Sequence, residues 1–233
     1  MKPALRYFPV RGRVQALRHA LVDAGIELDD VRTALEDWPQ RRNDVVFGGP
    51  YRSLPTLTWE GALIAETLPI ASFLARRLGH YDGRDDVAVA QLEGIVSVAY
   101  LEIIQPAGDV IYADLMWPGA DLARGLAFRL DRMQQKLACL DAQLGDGWVG
   151  GERPVMADFF AGEAFELQRY LVGPAREQRL VAALPRLAGL ANRLRARPSL
   201  AAAWQTRPPR HTARPDEEAA VARLHELRLP SDS

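Results

Sequence analysis

The sequence predicts an α/β module followed by an all-helical one. Strand and helix patterns alternate as far as residue 79, and from Asp85 onward only long helical stretches follow. A length of 233 residues suits one or two modest domains.

The first element, Ala4 to Phe8, is a short strand. In Val14 to Ala24, residues Val14, Leu17, Leu21 and Val22 fall near one helical face, and Gly25 is a natural stop. Ile26 to Ala34 reads as a second strand through Leu28, Val31 and Thr33. The polar stretch from Glu36 to Pro50 is loop with one weak helical turn. PTLTW, a turn at Glu60-Gly61 and ALIA form a hairpin, and Thr67 to Leu78 forms a helix with Pro69 in its first turn and Gly79 as its cap. The order is β-α-β-loop-β-β-α. The later helices are expected at Val87 to Tyr112, Leu122 to Leu144, Asp158 to Leu171 and Leu187 to Arg195. The expected division is 1–80, a linker at 81–86, a helical unit at 87–206 and a tail at 207–233, helical from Asp216 to Leu227.

Composition narrows the function. Hydrophobic residues at 48%, charged residues at 25% and a net charge of -1 describe a globular chain without the basic footprint of a nucleic-acid binder. The lone cysteine, Cys139, excludes an intrachain disulfide framework and a cysteine-rich zinc site, and its place in KLACLDAQL predicts a buried core thiol. No apolar run of roughly 18 residues and no secretory leader is apparent, so a cytoplasmic protein with neither membrane nor nucleic-acid partner is expected.

Three stretches carry chemistry. In YFPVRGR, Tyr7 ends the first strand, where open α/β sheets place their ligand crevice; a phenol there donates a hydrogen bond to an anion or, alternatively, packs in the core. Arg11 and Arg13 are either ligand cations or a solvated turn. In Ser53-Leu54-Pro55, a cis bond before Pro55 would turn the Leu54 backbone outward, to pair with an extended peptide ligand. In Glu66-Thr67, Thr67 reads as an N-cap, the helix N-terminus attracts a carboxylate, and Glu66 offers an acceptor for an ammonium group. With Trp38, these positions describe a pocket for a small, zwitterionic, peptide-like ligand.

The series YFPVRGR, Trp38, SLPTL and ETLPIASFLARRLG resembles the glutathione-binding half of cytosolic glutathione transferases of the tyrosine type, most similar to pi and sigma-like classes. WVGGERPVMADFF resembles the segment before the family's buried helix, and ARPSLAAAW its last common helix, so the resemblance runs from about residue 4 to 205. It implies a thioredoxin-like N-terminal domain, a helical-bundle C-terminal domain, glutathione as co-substrate without a metal, a hydrophobic electrophile, a detoxification role and a homodimer formed through the Thr67 helix and the helix from Val87. It implies Tyr7 as the donor to the thiolate, and Arg13, Trp38, Arg42, Ser53, Leu54, Pro55, Glu66 and Thr67 as the glutathione site. For the electrophile it implies Phe8, Val10, Arg11, Ile104, Gly108, Ile111 and Tyr112, a mostly apolar wall. A glutathione-dependent isomerase or lyase, and a non-catalytic binding protein, are the alternatives.

The departures are specific. Ser53 replaces a usual glutamine, Glu66-Thr67 a glutamine-serine pair, and Arg41 or Arg42 stands in for a loop lysine. The aspartate that the partner subunit supplies in the pi class falls near Tyr100 or Glu102. Val155 stands at the capping serine and predicts a helix start weaker by about 1 kcal/mol, while Asp158 matches the folding aspartate.

Overall fold

A computed structural model describes residues 2–119 and 122–226. The N-terminal half contains β1 (Ala4–Tyr7), α1 (Gln15–Asp23), β2 (Asp29–Arg32), α2 (Trp38–Arg41), β3 (Thr56–Trp59), β4 (Ala62–Ala65) and α3 (Thr67–Arg77). The sheet order is β2-β1-β3-β4, with β1 parallel to β2 and antiparallel to β3. The α1 crossover allows the parallel pairing, and a tight turn closes the β3–β4 hairpin, with both Glu60 and Gly61 at positive φ. This is the predicted α/β order. β2 is shorter than Ile26 to Ala34 because the amides of Gly25 and Ile26 bond back to Val22 and Leu21, closing the end of α1 before the strand begins. Glu66, at φ 73°, occupies the N-cap of α3, and Thr67 is the first helical residue rather than the cap.

The helical half contains α4 (Asp86–Ala99), a π-helical turn (Tyr100–Ile104), α5 (Pro106–Ile111), α6 (Ala113–Met116), α7 (Leu122–Gln143), α8 (Met156–Val172), α9 (Pro174–Ala183), α10 (Pro185–Arg195), a short 3-10 turn (Pro198–Leu200), α11 (Ala201–Gln205) and α12 (Glu217–Glu226). Asp85 caps α4 by accepting the Ala88 N–H at 2.8 Å. The single helix expected over Val87 to Tyr112 is interrupted because Pro106 has no N–H to return to residue 102; the Gln105 amide reaches the Tyr100 carbonyl at 2.8 Å instead, giving the wide turn. α9 escaped the sequence reading because Leu180 alone is buried among its charged residues, too thin an apolar stripe to read as a helix. α12 matches the expected tail helix through Glu226; Leu227 lies outside the described residues.

α8 is the central helix, with Phe159, Phe160 and Phe165 all buried, and it packs against α1, α4 and α10, so one apolar core runs through both halves. Two expectations are corrected. Cys139 is exposed: the buried stripe of α7 runs through Met133, Leu137 and Leu140, and residue 139 falls off it. The run Asp86–Ile111, 26 residues long, is apolar enough by composition to cross a membrane; here its Leu92, Val96 and Ile103 are buried and it packs on α7 and α8.

α8 begins without its side-chain cap, since Val155 carries no acceptor. Asp158 supplies the remaining half of the arrangement, accepting the Val149 N–H at 2.8 Å and the Val155 N–H at 2.9 Å. Burial pushes its carboxyl up to about 6, although the backbone N–H groups of Val155, Val149 and Gly150 pull the other way. A carboxyl raised on folding contributes stability that is complete below its unfolded value and lost as pH rises through about 6. Asp158→Asn sets an amide against one of the two N–H groups and should destabilise by about 1–3 kcal/mol. That penalty should be larger at pH 5 than at pH 7, measured as the difference in urea midpoints; a penalty that grows with pH would contradict it.

Candidate active site

A cleft of about 480 Å³ lies where the end of β1 meets α5 and the C-terminal segment. Tyr7, the last residue of β1, is 7% exposed and lines it. The chain then turns sharply: Gly12 has φ +43°, and a Cβ there would lie 2.6 Å from both Cε1 and Oη of Tyr7, so only glycine lets the backbone pass so close to the phenol. The turn directs the Arg13 N–H at Tyr7 Oη, 3.3 Å away. Because the oxygen accepts there, the phenol hydrogen is left to donate elsewhere. Burial raises the Tyr7 pKa, with the Arg13 charge and N–H opposing, so the phenol is protonated at neutral pH.

The turn is held from three sides. Arg18 Nη1 donates to the Val10 carbonyl at 2.7 Å, and its Nε to Asp30 at 3.1 Å. Arg11, expected at the electrophile, is 2% exposed and points away from the cleft; its Nε and Nη2 lie 3.0 and 2.9 Å from Glu163 Oε1 on α8. Burial would raise the Glu163 carboxyl, but Arg11, then Arg207 and His19, hold it below its ordinary value. From the third side, the Arg11 and Gly12 amides each donate at 2.9 Å to the carbonyls of Arg210 and His211. That strap is anchored by Glu217, fully buried, which accepts the amides of His211 and Thr212, the Thr212 hydroxyl and the Tyr170 hydroxyl at 2.6 to 2.9 Å.

Along the rim, Phe8 meets Tyr7 and Trp38 edge-on, with ring centroids 5.5 and 5.7 Å apart. Val10, Arg13 and Trp38 line the cleft, as do Ser53 and Leu54 across from them. The Leu54-Pro55 bond is cis. Ser53 Oγ donates to Glu66 Oε1 at 2.6 Å, which ties the rim to the start of α3. Pro55, Glu66 and Thr67 stand behind this rim rather than in the lining; Thr67 Oγ1 is buried with no hydrogen-bond partner among the described residues. Arg42 is exposed at the end of α2, outside the lining, and Arg52 is the cation that lines the cleft on that side.

The helical wall contains Ile104, Gly108 and Tyr112 as expected. Ile111 does not belong to it: one residue before Tyr112, it faces the core, and its carbonyl accepts Arg214 Nη1 at 3.0 Å. Sequence reasoning missed Gln105, Asp109, His211 and Thr212, which make this wall far more polar than the apolar surface expected. The first two sit beside residues already singled out; the strap gave no signal, because it is placed by hydrogen bonds to residues some 200 positions away rather than by apolar periodicity.

No family model matches the chain. Haematopoietic prostaglandin D synthase of Gallus gallus is 29% identical over 214 residues, covering 88% of this chain and 96% of that protein. A probable glutathione S-transferase of Caenorhabditis elegans is 32% identical over 104 residues, 44% of this chain and about half, 48%, of that protein. Among solved structures, a monomeric glutathione S-transferase of the hookworm Necator americanus superposes with a TM-score of 0.72 at 22% identity, covering 89% of this chain and 98% of the other.

Proposed function

We propose, from the premise that the chain belongs to the glutathione S-transferase family, that it activates the thiol of glutathione for attack on an electrophile. The observation that carries the reading is the Tyr7 phenol, protonated, backed by the Arg13 N–H and lining the cleft. A free thiol with a pKa of about 8.5 is only a few per cent thiolate at neutral pH, and the thiolate is the nucleophile. A hydrogen bond to a charged group supplies about 1.5–3 kcal/mol, which lowers a thiol pKa by roughly one to two units. Tyr7 serves as donor and not as base, since its own pKa lies above the ordinary phenol value.

The remaining groups suit the rest of the tripeptide. The buried Thr67 hydroxyl and the N-terminus of α3 fit the γ-glutamyl carboxylate, with Glu66 beside them for its amino group. Leu54, preceding β3, would pair with the cysteinyl backbone, and Arg13, Trp38 and Arg52, which line the cleft, would take the glycyl end. In this reading Arg52 takes the part expected of Arg42. A cytoplasmic, detoxifying role is part of the same proposal.

A homodimer through α3 and α4 completes the proposal. A groove of about 260 Å³ between these helices, lined by Leu68, Ala71, Val96 and Met156 among others, supports that face as the contact. In solution a mass near twice 25.8 kDa is expected by light scattering; a mass of one chain at micromolar concentration would contradict the dimer.

The thiol test is a titration. Ultraviolet difference absorbance of bound glutathione should show thiolate about one to two units below the free thiol, and Tyr7→Phe should abolish the shift and most of the turnover. Glutathione should be consumed one for one with the electrophile. Full activity in Tyr7→Phe would contradict the assignment.

A further inference from the structure

The strap carries, on a residue that lines the cleft, a buried polar atom with no hydrogen-bond partner among the described residues. His211 is 4% exposed. Its N–H donates to Glu217 Oε1 at 2.6 Å, its carbonyl accepts the Gly12 N–H at 2.9 Å, and its ring Nε2 lies 3.2 Å from the Ile104 carbonyl oxygen. A carbonyl oxygen only accepts, so Nε2 carries the ring hydrogen. Burial, reinforced by the charge of Arg11, lowers the imidazole pKa to about 4, and the ring is neutral at physiological pH. Nδ1 is therefore a lone-pair acceptor in a fixed tautomer, and among the described residues it has no hydrogen-bond partner. Every other polar atom of this residue is used.

The chemistry limits what Nδ1 can do. Without a hydrogen it cannot donate, and a ring that protonates only near pH 4 is a poor base for a thiol at neutral pH. Among the described residues there is no group of three metal-ligating side chains that would make it a metal ligand. What it can do is accept a hydrogen bond, and a buried acceptor left without one carries a desolvation cost that a bound donor relieves. Its surroundings fit: Gln105, Asp109, Tyr112 and Thr212 line the same side of the cleft.

We propose that His211 is a specificity-determining residue of the electrophile site, accepting through Nδ1 a hydrogen bond from a hydroxyl or amide N–H borne by the electrophile. The inference rests on the glutathione transferase reading and names its substrate class: electrophiles that carry a donor group near the reacting carbon, in preference to plain hydrocarbon ones. A γ-hydroxy enal is the simplest probe. The glutathione sulfur bonds to its β-carbon, the C=C pair shifts to give the enolate, and the proton lost by the thiol is returned at the α-carbon through solvent. Addition has no leaving group, and the hydroxyl that His211 holds is not consumed.

The experiment compares kcat/KM for a γ-hydroxy enal and for the same enal lacking the hydroxyl, each divided by its uncatalysed rate with glutathione. Glutathione binding is followed in parallel by intrinsic tryptophan fluorescence. The unmodified protein should favour the hydroxy enal about tenfold or more. His211→Phe should bring the ratio to near one, and His211→Asn, which keeps an acceptor oxygen near the place of Nδ1, should retain part of the preference. A general loss of packing would slow both substrates alike and leave the ratio unmoved. If His211→Phe does not fold, the ratio in the unmodified protein still decides. Glutathione bound and consumed with a ratio near one overturns the inference alone; glutathione neither bound nor consumed overturns the transferase reading and the inference with it.

Discussion

The buried pairing of Arg11 with Glu163 is the contact to which the rest of the cleft is referred. It joins the turn after β1 to the central helix of the other half, and both side chains are almost wholly removed from water. Removing two charges from water is costly, so such a pair persists only where geometry and further hydrogen bonds compensate. Here the turn is fixed on every side: Glu163 takes the Arg11 side chain, the strap carbonyls take the Arg11 and Gly12 amides, and the one amide left, that of Arg13, meets Tyr7. The phenol therefore owes its orientation to residues from α8 and from the far end of the chain. Glu163 and Arg210 hold the turn from outside the lining, while His211 holds it through its carbonyl and lines the cleft as well.

That arrangement explains why the cleft has two characters. On the sheet side, the phenol, the Phe8 and Trp38 rings and the Ser53–Glu66 contact come from a strand end, the starts of α2 and α3 and the loops beside them, where rigid backbone positions polar groups. On the helical side, the wall depends on an irregularity. Pro106 forces the π-helical turn, which sets the course of the chain into α5 and so the presentation of Gln105, Gly108 and Tyr112. The strap then closes the gap with His211 and Thr212. A wall made this way carries the polar groups of Gln105, Asp109, His211 and Thr212 beside Ile104 and Gly108.

The same distinction decides what could be read from the sequence. The alternation of strand and helix, and then its end, gave the two halves directly, because periodicity follows from which face is buried. Tyr7, Phe8, Arg13, Ser53 and Leu54 were legible because a strand end followed by glycine or proline restricts where the next side chain can go. Arg11 was not, since an arginine in a turn looks the same whether it faces solvent or a carboxylate 152 residues away. Ile111 and Cys139 failed for a related reason: each sits in an apolar helical stretch, and which residues face out depends on the exact phase of the helix, which the π-helical turn shifts in the first case. The strap's contacts are hydrogen bonds between distant backbones, and these leave no mark on composition.

The Arg11–Glu163 contact is thus a positioning device for the Tyr7 phenol, acting through the turn. Its most direct test replaces both charges together, Arg11→Met with Glu163→Leu, so that neither is left buried without the other, while Arg207, 3.6 Å from Glu163, keeps Glu166 at 4.0 Å. The thiol of bound glutathione is then titrated by ultraviolet difference absorbance alongside a melting curve. With the directional hold on the turn gone, the thiol pKa should rise by about one unit toward the free value in a protein that still melts cooperatively. A titration that superimposes on that of the unmodified protein would contradict the account, and the turn would then owe its geometry to the strap and to Gly12 alone.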